Sequence, residues 1–279
     1  MRSAMPWIEK IIDFALEEDL GRGDVTTRLT VADELETVGR VFARQDLVMS
    51  GSEVWRKVVE RVDAQVQTEI VVGDGEEASR GDLLMTASGK VASLLMAERV
   101  ALNFLQRLCG VATVTRAYVK QIPVDCEVRI IDTRKTTPGL RFLERQAVLD
   151  GGGFNHRVDL SGGVLIKENH ITAAGSVEMA IALCAAKAPH TLKIEVEVQT
   201  VEELQQALNA GVGAVLLDNM SLESMKRSVD LVAGRAYVEA SGGVTLDRVE
   251  AIARTGVNGI SIGALTHSAP AADITFLID

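Results

Sequence analysis

From about Tyr118 onward the chain alternates short apolar runs with amphipathic stretches, and no other feature constrains its fold as strongly. Strand candidates fall at Val128–Ile131, Gly163–Ile166, Leu192–Val198, Ala214–Leu217, Ala236–Glu239 and Gly259–Ile262. Most gaps hold helices with readable starts. Thr200-Val-Glu-Glu203 is a capping box, in which the Thr hydroxyl and the Glu three residues on satisfy each other's backbone N–H groups. Ser221 and Thr245 precede further helices, and Gly211, Gly234 and Gly256 stand near helix ends. Strand and helix alternating every ~20–30 residues builds parallel β-α units. Six strands predict a closed or nearly closed α/β barrel, with an open doubly wound sheet as the alternative.

The first ~110 residues follow a different rhythm. Apolar residues recur at helical spacing from Ile8 to Leu16, and a polar loop follows over Leu20–Thr27. Extended candidates lie at Val38–Arg44, Gln65–Val71 and Leu83–Ala87. A strong helix starts at Ser93, and Gly110 reads as its left-handed terminator. Strands followed by a helix predict an α+β domain.

Charge narrows the function. There are 39 Asp and Glu against 29 Lys and Arg, a net charge of −10, so the chain is a poor general partner for nucleic acid or an anionic membrane. Cys109, Cys126 and Cys184 have no CxxC spacing, which argues for reduced thiols in the cytoplasm and against a zinc site. No apolar run approaches the ~18–20 residues of a membrane span, and the first seven residues lack a signal-peptide core. Gly211-Val-Gly213 lacks the third glycine of a dinucleotide fingerprint and precedes a strand; a Walker A sequence is absent.

Within this acidic chain lies a cationic island. Arg134, Lys135, Arg141, Arg145, Arg157 and Lys167 face only Glu144, Asp150 and Asp159 over the same stretch, and His156 joins them. Such an island focuses an anionic substrate. Its densest part, Asp132–Arg141, places Arg134 and Lys135 beside the hydroxyls of Thr133, Thr136 and Thr137, which suits carboxylate or phosphate oxygens. The bland alternative is a solvated basic surface.

Strand ends decide against the bland reading. The six candidates run in turn into Asp132/Arg134/Lys135, Lys167-Glu168-Asn169-His170, Glu197, Asp218-Asn219, Glu239-Ala-Ser241 and Ser261-Ile-Gly263. In a parallel barrel all carboxyl ends share one face, and active sites lie there. In Leu192–Val198, period-two alternation sets Ile194, Val196 and Val198 on one side and Lys193, Glu195 and Glu197 on the other. Placing the apolar side against the helices turns three charges inward, a costly arrangement unless they are paired or bound to a ligand. Glu195 reads as part of a structural Lys–Glu network. Glu197 can join Asp218 around ribose hydroxyls or Mg²⁺. The glycine turn at Ser241-Gly242-Gly243 and the last-strand loop Ile262-Gly263-Ala264 offer backbone N–H groups to a phosphate.

The segments Asp132–Arg141, Gly151–Arg157, Leu165–Ile171, Glu195–Val198, Leu217–Met220, Glu239–Gly243 and Ser261–Ser268 resemble, in order, the motifs of the nicotinate-nucleotide pyrophosphorylase family, the quinolinate phosphoribosyltransferases. Glu18–Thr26 and Glu98–Asn103 look like the same family, so the resemblance covers nearly the whole chain. It implies an N-terminal α/β sandwich domain (1–112), an open or incomplete α/β barrel of about six parallel strands (113–268), and a C-terminal segment (269–279) returning to the first domain. It also implies a reaction: quinolinate and phosphoribosyl pyrophosphate give nicotinate mononucleotide, pyrophosphate and CO₂, with Mg²⁺ as cofactor, in a cytoplasmic homodimer or higher oligomer with shared sites.

By the same resemblance, Arg134, His156 and Arg157 hold the quinolinate carboxylates, joined by Arg99 from a second copy. Lys135, with Thr136 beside it, and Lys167 bind phosphoribosyl pyrophosphate. Glu197 and Asp218 address ribose hydroxyls and metal; Ser241, Gly242, Gly243, Ile262, Gly263 and Ala264 take the 5′-phosphate. His170 and His267 read as structural. The competing readings are a paralogue of the same fold associated with molybdenum transport, a non-catalytic anion-binding protein, and a lysine-dependent aldolase-type barrel using Lys167.

Overall fold

The structure, a computed structural model, describes residues 5–279, with side chains from Trp7 onward. Residues 1–4, part of the segment read above as lacking a signal-peptide core, lie outside it. The chain divides into two compact units: Met1–Arg116 with Thr136–Gly152 and Thr266–Asp279, and Ala117–Lys135 with Gly153–Leu265. Twelve strands are described. The first five are β1 (Glu36–Ala43), β2 (Leu47–Val48), β3 (Gln67–Ile70), β4 (Glu77–Ala78) and β5 (Leu83–Lys90). Next come β6 (Arg129–Ile131), β7 (Val164–Ile166), β8 (Ile194–Val198), β9 (Ala214–Asp218), β10 (Tyr237–Ser241) and β11 (Gly259–Ser261), and β12 (Ile274–Ile278) closes the chain. No helix among the described residues is long and apolar enough to cross a membrane.

In the first unit, β12-β1-β5-β3 form an antiparallel sheet, and β12 adds to the β1 edge in the register Gly39↔Ile278 to Ala43↔Ile274. The helix Val91–Val119 packs Leu94, Ala97, Ala101, Leu105 and Leu108 into the core. It runs through Gly110, the position expected to stop it. A Cβ at Gly110 would collide with the Pro270 carbonyl oxygen, so this glycine serves a close backbone approach rather than a terminus. The polar segment after Leu20 also differs from expectation. Asp24 caps a short helix, Val25–Thr30, by accepting the Thr27 N–H at 3.0 Å.

One buried ion pair ties three segments of this unit together. Glu144 is fully buried and accepts from Arg107 Nη2 at 2.8 Å, Thr137 N at 3.0 Å and Thr137 Oγ1 at 2.7 Å. Arg107 also donates to the Thr266 and Ala269 carbonyls. Arg107→Ala would strand that carboxylate, and urea denaturation should show a loss of about 3–5 kcal/mol.

The second unit carries the six-stranded parallel sheet in the order β6-β11-β10-β9-β8-β7. Its strands are apolar on the helix side because both faces are covered: Val196, Val198, Val215, Leu217 and Ile260 are fully buried. β6 and β7 are the two edges, so the barrel is open. Phe154 partly fills the gap, pairing beside Ile131 through its N–H to Ile130 O at 2.8 Å.

Candidate active site

The second unit's functional side chains fall into two groups. The first is built on the segment following Gly153. Asp132, fully buried at the end of β6, donates its N–H to Phe154 O at 2.9 Å, and its Oδ1 accepts the His156 N–H at 2.7 Å. The next residue closes back on the ring, because Arg157 N donates to His156 Nδ1 at 2.7 Å. With Nδ1 accepting, Nε2 carries the imidazole proton and offers it to Glu195 Oε2 at 3.2 Å; Glu239 Oε1 lies 3.8 Å from the same nitrogen. Arg157 Nη1 donates to Gly163 O at 2.8 Å.

The charged members of this group shift one another's ionisation. Burial, then the charge of Arg134, lowers the Arg157 pKa, so two guanidiniums lie near enough to repel. The hydrogen bond to Glu195 raises the His156 pKa, and the nearby Glu239 adds to it. Burial, then the Glu195 charge, pushes the Glu239 carboxyl up to about 7.

The second group sits at the carboxyl ends of β7 to β11. Lys167 follows β7 directly, and its Nζ is 2.6 Å from Glu197 Oε2; the lysine is half exposed, the carboxylate nearly buried. Glu197 is paired with Leu216 across β8 and β9, so Glu197, Leu216 and Asp218 point to one side, with Asp218 a step further out. Asn219 adopts left-handed backbone (φ +53°) and donates its N–H to Ser241 O at 2.9 Å. Gly242 has φ +89°, and a Cβ there would strike the Asn219 side chain, so this turn requires glycine twice over. The Gly243 carbonyl is held by Arg248 Nη1 at 3.0 Å. Ile262 is anchored by its N–H to Ile131 O at 2.9 Å, and Ala264 opens the short helix Ala264–His267 beside Gly263.

The remaining expected residues are placed as follows. Lys135 is exposed, its N–H donating to Thr133 Oγ1 at 3.1 Å. Thr136 and Arg99 belong to the first unit; Thr136 Oγ1 accepts from Arg141 Nε, and Arg99 is exposed beside Glu98. His170 Nδ1 accepts the Lys167 N–H at 3.0 Å and so caps the helix Glu168–Ala174, while His267 contacts Ser268. Glu195 differs from expectation. Its partner is His156, and Lys193 lies over the Tyr237 ring at 5.2 Å. Sequence reasoning named Asp132 and Glu239 only as strand-end groups. The signal available for Glu239 was a carboxylate between Val238 and Ala240, both buried, in mid-strand.

A cavity of about 420 Å³ opens at the amino ends of the strands, lined by Arg129, Lys193, Ala214 and Tyr237. His156, Arg157, Glu195 and Glu239 also line it, whereas Lys135, Lys167, Glu197 and Asp218 do not. The imidazole–carboxylate cluster therefore also borders the amino-end side of the barrel, while Asp132 ties it to the carboxyl end of β6.

Known proteins match this chain over nearly its whole length. Residues 24–109 match the family described as quinolinate phosphoribosyl transferase, N-terminal domain, and residues 111–276 the C-terminal domain of the same family. A probable carboxylating nicotinate-nucleotide pyrophosphorylase of Bacillus subtilis is 38% identical over 268 residues, covering 96% of this chain and 92% of the relative. A decarboxylating quinolinate phosphoribosyltransferase of Nicotiana tabacum is 37% identical, covering 98% and 82%. The solved nicotinate-nucleotide pyrophosphorylase of Francisella tularensis superposes with a TM-score of 0.94 at 36% identity, covering 98% of this chain and 96% of that one. Two domain matches and full-length identity well above 30% decide the matter: the chain belongs to the quinolinate phosphoribosyltransferase family.

Proposed function

We infer that this protein is a quinolinate phosphoribosyltransferase, a pentosyltransferase that makes nicotinate mononucleotide, pyrophosphate and CO₂ from quinolinate and phosphoribosyl pyrophosphate for NAD biosynthesis. The observation that carries the reading is the pair of mutually repelling guanidiniums, Arg134 and Arg157, set beside His156. A small dicarboxylate relieves that repulsion, and two forks fix its orientation. The molybdenum-associated and purely anion-binding alternatives gain no support from relatives named for the carboxylating enzyme.

The chemistry asks little acid–base work of the protein. The pyridine nitrogen is already a nucleophile, so the site must align it with the anomeric carbon and stabilise charge as pyrophosphate departs. Lys135 and Lys167 supply cations for phosphate oxygens, with Thr136 alongside. Glu197 and Asp218 hold ribose hydroxyls, and Ser241–Gly243 with Ile262–Ala264 cradle the 5′-phosphate. Mg²⁺ fits the oxygen-only donor set of Glu197 and Asp218, and when bound it neutralises pyrophosphate charge. Once the ribose is attached, the ring nitrogen is positive and stabilises the carbanion left when the 2-carboxylate leaves as CO₂, and a proton from solvent at that carbon completes nicotinate mononucleotide.

Incubating the purified protein with both substrates and Mg²⁺ should yield nicotinate mononucleotide; absence of product would remove the reading. A homodimer in the cytoplasm, with Arg99 reaching the site of the second copy, belongs to the same proposal. Exposure of Arg99 (57%) on a helix whose other face is buried supports it. Mixing inactive Arg99→Ala and Lys135→Ala proteins under subunit exchange should restore about a quarter of full activity, because half the dimers are mixed and each has one intact site. No recovery despite demonstrated exchange would place Arg99 on its own subunit or outside the site.

A further inference from the structure

Glu239 is 2% exposed, and its Oε1 has no hydrogen-bond partner among the described residues, an arrangement that costs free energy and so calls for an account. Glu195 faces it from β8, Asp132 and His156 from the β6 side and Ser261 from β11. Arg129, Arg157, Lys193 and Tyr237 line the adjoining cavity. Both nitrogens of the His156 ring are engaged by the protein: Nδ1 by the Arg157 N–H, Nε2 by Glu195, with Glu239 just behind. The ring is thus turned inward, and what it holds on its other side is the backbone of Arg157.

We propose that Glu195 and Glu239 are positioning residues of the dicarboxylate site, acting through the His156 ring on Arg157. The inference rests on the quinolinate reading above. It deepens that reading by giving His156 a second task, the support of Arg157. A proton suits the cluster better than a divalent cation, because Arg129, Arg157 and Lys193 already surround it with positive charge.

The pH dependence has a definite sign. Burial and Glu195 push Glu239 up to about 7, so below that pH the carboxyl is neutral. Rising pH ionises it and adds a negative charge under the binding place of a dianion, weakening the complex. Tyr237, pushed up to about 12 by burial, stays neutral throughout, and the arginines do not titrate. His156, its pKa raised by the hydrogen bond to Glu195, loses positive charge over the same range and weakens anion binding in the same direction, so the Glu239→Gln profile is what separates the two groups.

The test is calorimetric binding of quinolinate to the full-length protein between about pH 6 and about pH 8.5, where both ligand carboxylates remain ionised. Wild-type affinity should fall about tenfold between pH ~6.5 and ~8.5, and Glu239→Gln should flatten that fall to within about twofold. Glu195→Leu should weaken quinolinate binding about tenfold or more while the KM for phosphoribosyl pyrophosphate stays within about twofold, and Glu195→Gln, whose amide oxygen still accepts the Nε2–H, should recover most of the loss. A Glu239→Gln profile that superimposes on the wild type overturns the proposal, and it does so even if Glu195→Leu fails to fold. So does a wild-type profile abolished by a chelator, which would give the cluster to a metal. A wild-type protein that binds no quinolinate at any pH overturns the functional reading itself, and this inference with it.

Discussion

Arg157→Ala lowers kcat/KM for quinolinate by roughly 10²–10³-fold, nearly all of it in KM, and leaves the KM for phosphoribosyl pyrophosphate within about twofold. The magnitude follows from removing one partner of a charge-assisted pair in a partly buried site: about 3–5 kcal/mol, because the substrate carboxylate loses its fork and is still desolvated. Arg157→Lys should fall between, since an ammonium keeps the charge and loses the bidentate geometry. The free protein should behave oppositely. Burial, then repulsion from Arg134, lowers the Arg157 pKa, and Glu195 and Asp159 offset part of it. Truncation relieves that repulsion, so the melting temperature of the unliganded variant should be unchanged or slightly raised while binding collapses. The wild type should use nicotinate, which lacks the 2-carboxylate, far less well than quinolinate, and the Ala variant should narrow that gap. A variant that keeps its quinolinate KM and loses only turnover would move Arg157 from recognition to the transfer step.

The residues behind that prediction were unequally legible. Strand ends were readable because a parallel sheet gathers every carboxyl end on one face, and a buried strand reads as a nearly unbroken apolar run. Thus Val128–Ile131 and Ala214–Leu217 anticipate β6 and β9 to within one residue at either end. Gly110 misled because glycine carries two meanings, a helix end or a close backbone approach; the approaching carbonyl belongs to Pro270, far along the chain. Leu20–Thr27 reads as loop because its glycines and β-branched residues favour no helix, yet Asp24 caps a helix that begins within it, Val25–Thr30. The Glu195–His156 bond was hidden for a different reason. Alternation in β8 sets Glu195 inward, but which partner meets it depends on how the segment after Gly153 returns beside β6, a tertiary event without local signature.

Asp218→Asn and Glu197→Gln should both lower kcat by roughly 10²-fold or more while leaving quinolinate affinity nearly intact, yet they should diverge in KM for phosphoribosyl pyrophosphate. Both carboxylates face one side at the ends of adjacent strands, where ribose hydroxyls and a Mg²⁺ ion would lie. Glu197 differs in already holding a cation, Lys167 Nζ at 2.6 Å. That ion pair must loosen before Lys167 can turn to a phosphate. Since the lysine is 48% exposed, loosening it costs little, less than about 1 kcal/mol. Glu197→Gln removes that competition, so its KM should hold steady or drop about twofold even as kcat falls. Among the described residues, the Asp218 carboxylate accepts from its neighbour Asn219 at 3.2 Å and pairs with no cation. Its replacement has no compensating release, and KM should rise. Parallel rises in KM for both variants would show that Lys167 is not held in reserve by Glu197. Loss of quinolinate binding with turnover unaffected would refute the division of the site into a dicarboxylate pocket and a ribose–metal pocket.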